Sequence, residues 1–175
     1  IPLFLINPIY NPSNQPRMSL GYSIGSMAQV FAALKLINLN FEEVKSSCTF
    51  VKGLTEEFKV EKTDNFAVKT ATGLVGKIPI LIASGHLFGA VHAAKNQINE
   101  NAKTFAASFP IPELNHHLTE GLKFPESNPD TLAFVFYESE LYQPRIQKRF
   151  KLTKELAEKS GIKTYTYKVR GENKL

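Results

Sequence analysis

The chain has 175 residues, 43% of them hydrophobic, which is the size of one globular domain able to bury roughly 70% of its unfolded surface. No apolar run approaches the roughly 20 residues that span a bilayer, and the single cysteine, Cys48, excludes an internal disulfide framework and a cysteine-built metal site. The net charge of +5 comes from lysines spread along the chain, and the densest group, RIQKRFKLTKELAEK, alternates with acids in its second half, so no basic surface is gathered for nucleic acid.

IPLFLI opens the chain without the basic start and small-residue cleavage site of a signal peptide. A soluble protein of the reducing cytoplasm is the expectation, with no membrane partner. Ile1 to Ile6 reads as a short buried strand, and NPIYNPSNQP as a linker whose prolines resist regular structure. From Arg17 to Leu39, Leu20, Ile24, Met27, Val30, Phe31 and Leu34 recur at helical spacing. Gly21 and Gly25 on that helix suggest close packing against a neighbour. Phe41 to Lys69 mixes charges with Val44, Phe50, Leu54 and Phe58, as one or two amphipathic helices would.

An alternation of types follows. IPILIAS, Ile78 to Ser84, is a continuous apolar run of the kind covered on both faces. GHLFGAVHAAKNQINENAK is a helix entered through Gly85. TLAFVFYES, from Thr131, is a second buried strand. QPRIQKRFKLTKELAEKSG is a helix with Pro144 near its start and Gly161 as its stop. IKTYTYKV closes with a third strand, Lys163 to Val169. This order predicts an α/β fold, a three-layer α/β/α sandwich on a mainly parallel central sheet.

Two residue types suited to moving protons near neutral pH lie between Gln97 and Gly121. Glu100 falls in the last turn of its helix, where the negative end of the helix dipole favours the proton-holding form of a carboxylate. An exposed glutamate paired with Lys103 fits the same spacing. His116 follows Pro110 and Pro112, with Asn115 as a candidate N-cap of one short turn. An exposed loop histidine fits equally. His116, His117 and Glu120 form a partial metal-ligand set, but adjacent histidines rarely converge on one ion, so no metal is expected. Ser84-Gly85-His86 occupies the strand-to-helix turn where α/β sheets keep ligands, and its amides could hold an anion. His92 on that helix reads as packed or partly exposed. Cys48 has no nearby base to make it a nucleophile.

NENAK around Glu100, followed by PELNH around His116, resembles the second half of the bifunctional phosphoglucose/phosphomannose isomerases, which are built from two sugar isomerase (SIS) domains. QPR at Gln15 to Arg17 is a third match. The resemblance implies a cofactor-free aldose-ketose isomerase that interconverts glucose 6-phosphate or mannose 6-phosphate with fructose 6-phosphate. Glu100 would shuttle a proton between C1 and C2, and His116, donated across a homodimer, would open the sugar ring. Arg17 would bind substrate and steady the enediolate. In place of the family's usual asparagine after the histidine, this chain has His117, and nothing like the phosphate loop SYSGNT occurs. The resemblance further implies that residues 1–15 are a linker and the last strand of a preceding domain. Residues 16–175 would then be an SIS-like domain cut short at its C-terminus, inactive in isolation. A non-catalytic SIS module binding a sugar phosphate for regulation, or a domain kept for dimerisation, is the alternative.

Overall fold

The computed structural model describes residue 3, residues 5–171 and residue 174. The chain divides into two compact units, Ile1–Lys59 and Val60–Leu175. In the first, a 3-10 turn at Pro16–Met18 precedes helices α1 (Leu20–Ala33) and α2 (Phe41–Glu57). The helix expected to reach Leu39 stops early, because Lys35 takes a left-handed φ of 56°. The amide of Leu36 then donates back to the Phe31 carbonyl at 2.9 Å, closing the end as helix C-termini commonly do. α2 starts at Asn40, whose side chain accepts from the Glu42 amide at 3.0 Å.

Two expectations for this unit have no counterpart among the described residues. Leu3, Leu5 and Ile6 are exposed and form no strand, since a strand needs a neighbouring backbone to pair with. Ile1, Pro2 and Phe4 of that expected strand lie outside the described residues. Gly21 and Gly25 face open space, with nothing within 4 Å of a built Cβ.

The second unit holds a four-stranded sheet: β1 (Ile78–Ala83), β2 (Ala107–Pro110), β3 (Leu132–Glu138) and β4 (Lys163–Lys168). The strand order is β2-β1-β3-β4 and every pairing is parallel. Around it lie α3 (Phe66–Gly73), α4 (Phe88–Asn101), α5 (Glu113–His117), α6 (Asn128–Thr131) and α7 (Pro144–Lys159). β1 and β3 are central and buried on both faces, which is why they read as unbroken apolar runs. β2 was not visible as a strand in the sequence. It is a four-residue edge piece, half-buried throughout, that ends on a proline, a residue tolerated at a sheet edge.

The strand period of two sorts side chains into two cores. Ile80, Ile82, Phe134 and Phe136 pack with Leu114 of α5 and Phe150 and Ala157 of α7. Leu81, Ala83 and Val135 pack on the other side with Val91, Ala94 and Ile98 of α4. Helices therefore cover both faces, and the fold is a three-layer α/β/α sandwich. α3 closes over β4: the Phe66 and Tyr167 rings lie 5.1 Å apart. A Cβ on Gly73 would come 1.9 Å from the Tyr165 hydroxyl oxygen, so only glycine allows that approach.

Candidate active site

The crossover from β1 leads outward through α4 to β2, whereas that from β3 leads the opposite way through α7 to β4. Strand order thus reverses between β1 and β3, and in open α/β sheets the crevice beyond the carboxyl ends at such a point is the usual ligand site. Here that crevice is largely filled. The Ser84 amide, expected to be free for an anion, donates to the Tyr142 hydroxyl oxygen at 3.0 Å. The Ser84 hydroxyl donates to the Ile111 carbonyl at 2.6 Å, and the Tyr142 hydroxyl donates to the Tyr137 carbonyl at 3.1 Å. The His86 ring meets the Tyr142 ring edge-on at 5.3 Å. Burial, then the positive charge of Lys174, lowers the His86 pKa. Burial raises that of Tyr142, with the Ser84 amide acting the other way.

Glu100 stands in the last turn of α4 and is exposed. Its neighbour Asn99 fastens that turn to the start of β2. The Asn99 amide group donates to the Ala106 carbonyl at 3.0 Å and accepts from the Ala106 amide at 3.3 Å. The Lys103 ammonium donates to the Glu100 backbone carbonyl at 2.6 Å, from a left-handed φ of 53°. Glu100 therefore sits at the amino edge of the sheet, on the α4 face.

His116 lies past the carboxyl end of β2, on the α7 face, so the sheet stands between it and Glu100 within this unit. Asn115 is not its cap. The cap position of α5 belongs to Pro112, and His116 falls in the last turn rather than the first. The helix-start environment expected for this imidazole is thus absent. The Asn115 side chain instead reaches α7, donating to the Thr153 hydroxyl at 2.7 Å, while Thr153 donates to the Arg149 carbonyl at 2.7 Å. An open cleft of about 390 Å³ results, lined by Pro112, Glu113, Asn115, His116 and Arg149.

A larger cleft, about 820 Å³, lies against α7 and the ends of β3 and β4. Its lining interleaves Glu138, Glu155 and Glu158 with Lys151, Lys154 and Lys168, so its charges largely cancel. The smaller cleft is the one that holds an imidazole. Among the described residues no three His, Cys, Asp or Glu side chains gather as metal ligands do. His117 instead points its Nε2 at the Glu113 carboxylate, 3.3 Å away. His92 is exposed, its ring 6.4 Å from that of Phe88. Arg17 belongs to the first unit, where its guanidinium donates to the Gln15 side chain at 2.9 Å.

Sequence reasoning missed Tyr142, Arg149 and Thr153. Arg149 and Thr153 are four apart and so share a helix face, but nothing in the sequence pairs that face with Asn115.

A doubly wound parallel sheet hosts many unrelated functions, so the class of the domain comes from its family. Residues 63–175 match the family described as the bacterial phospho-glucose isomerase C-terminal SIS domain, and the chain belongs to that family. It is also 24% identical over 161 residues to the bifunctional phosphoglucose/phosphomannose isomerase of Aquifex aeolicus (strain VF5). That alignment takes in 92% of this chain but 47% of the relative, so the chain spans about half the length of the relative it matches. Among the described residues no helix is long and apolar enough to cross a membrane.

Proposed function

We propose that this chain supplies the proton-transfer half of an aldose-ketose isomerase that interconverts glucose 6-phosphate or mannose 6-phosphate with fructose 6-phosphate. The observation that carries the reading is the placement of Glu100 and His116. Both are exposed, on elements fastened by Asn99 and Asn115, within the residues matched to the isomerase family. Glu100 takes the proton from C2 of the open-chain aldose as the electrons move to the carbonyl oxygen O1, the proton of the C2 hydroxyl passes to O1, and the same carboxylate returns its proton at C1 as C2 becomes the carbonyl carbon. No cofactor is needed. His116 moves the proton that opens the ring, and Arg17 steadies the negative enediolate oxygen.

Since the sheet separates Glu100 from His116 in one copy, a shared site calls for His116 from a second copy of the chain, which makes the working unit a homodimer. The substrate phosphate carries close to two charges and needs several convergent donors, and this sequence has no serine/threonine-rich phosphate loop. In the proposal that loop comes from a preceding SIS domain. These 175 residues alone then fold without measurable turnover, because the binding energy that orients the sugar is missing.

The test is kinetic, on a protein with both SIS domains. Glu100→Gln should lower kcat by about 10²–10⁴-fold, the usual share of a positioned base, with fructose 6-phosphate still bound. Full turnover by this variant would refute the role of Glu100. Binding without turnover in the parent protein would favour the regulatory module instead.

A further inference from the structure

We propose that Arg149 is a substrate-contacting residue of the ring-opening step, holding the anomeric oxygen while its negative charge develops beside His116. This rests on the reading of His116 given above. Arg149 and His116 line the same cleft from different elements, α7 and α5. The guanidinium is half-buried and meets no carboxylate among the described residues. Its contact with the Asn115 side-chain oxygen is 3.5 Å, the outer limit of a hydrogen bond. A guanidinium has five N–H donors, so most of those on this cleft-lining side chain have no acceptor among the described residues.

Its backbone is tied to the histidine's helix. Thr153, 1% exposed, accepts from Asn115 and donates to the Arg149 carbonyl, which clamps the histidine's helix to the arginine's. The one carboxylate in the cleft, Glu113, lies against His117, so its charge is directed away from an incoming oxyanion.

Ring opening breaks the bond between the anomeric carbon and the ring oxygen. The anomeric hydroxyl gives up its proton and becomes the carbonyl oxygen, the ring oxygen takes a proton, and the net proton count is unchanged. Charge builds on the anomeric oxygen in between. A planar pair of N–H donors stabilises it, and loss of one such contact costs about 10²–10³-fold in rate. Lysine offers the charge but not the fork.

The experiment isolates ring opening from isomerisation. In the two-domain protein with Glu100→Gln, exchange between the α and β anomers of glucose 6-phosphate is followed by magnetisation-transfer NMR, with and without Arg149→Gln. We expect anomer exchange to persist in E100Q, to drop by about 10²–10³-fold in the double variant, and to recover only partly with Arg149→Lys. Equal exchange in E100Q and the double variant, with the fold intact by circular dichroism, overturns the proposal. If instead E100Q isomerises like the parent, the functional reading fails and Arg149 is judged separately. Titrating glucose 6-phosphate into the two-domain protein should then shift the Arg149 Nε–H resonance, and an unmoved resonance overturns the proposal there too.

Discussion

The two units of this chain both carry apolar residues at helical spacing, yet they differ in what holds them. Residues 60–175 contain two cores, one on each face of the sheet, in which Phe134, Phe136, Phe150 and Leu81 are at most 2% exposed. Among the described residues of Ile1–Lys59 none is buried. Ile24 and Met27 of α1 and Val51 of α2 are more than half exposed, and most hydrogen bonds there are caps, turns and i to i+4 ladders, with the Tyr10 amide reaching the Tyr22 hydroxyl as a longer tie. Helical spacing of apolar residues reports that a face exists. Only a partner surface converts that face into stabilisation, at about 25 cal/mol per Å² removed from water.

The largest expected effect tests that contrast directly. Phe150 stacks on Tyr142 at 5.1 Å and meets Phe136 at 6.1 Å, so Phe150→Ala should cost about 3–5 kcal/mol in denaturant unfolding. Ile24→Ala, at a position 69% exposed, should stay within about 0.5 kcal/mol. A comparable loss at Ile24 would show that the first unit is buried in solution by something the chain alone does not provide.

Tyr142→Phe sharpens the comparison inside the second unit. It leaves the buried Ser84 amide without an acceptor and the Tyr137 carbonyl without that donor, while the ring keeps its stacking on Phe150. An orphaned buried amide costs about 1–3 kcal/mol, less than the emptied core of Phe150→Ala. A stability unchanged from the parent would mean that water replaces the hydroxyl and that the crevice is open.

The smallest effect is a pH dependence. His86 has a lowered pKa when folded, burial being the larger cause and Lys174 the second. The folded chain thus resists a proton that the unfolded chain accepts at the ordinary value of 6.5. The associated stability is complete above that value and is lost as pH falls from it toward the folded one. His86→Phe, which keeps an aromatic ring against Tyr142, should flatten the decline in Tm between about pH 7 and pH 5. An identical slope in the variant would place the acid sensitivity elsewhere.

The sequence was most legible where one physical pattern dominates. The unbroken apolar runs of β1 and β3 announced strands covered on both sides, and Pro144 and Gly161, with its φ of 77°, bracketed α7. Glu100 at the end of its helix was equally visible, because the helix period and its end are local properties. β2 was hidden by its shortness and its proline. Asn115 was misread as a cap because Asn caps helices elsewhere, and its true acceptor, Thr153, is thirty-eight residues away.

Sequence alone determined the alternation of elements, the parallel sheet, and the motifs that place the chain among sugar isomerase domains. Each depends on neighbours within a few positions, where side-chain period and backbone preference act directly. Tertiary structure decided the rest: that Glu100 and His116 lie on opposite sides of the sheet, that Tyr142 closes the switch-point crevice, and that Arg149 shares a cleft with His116. Those outcomes depend on which distant groups the folded chain brings within hydrogen-bonding range. No local rule carries that information, since such a bond acts over about 3 Å whatever the separation along the chain.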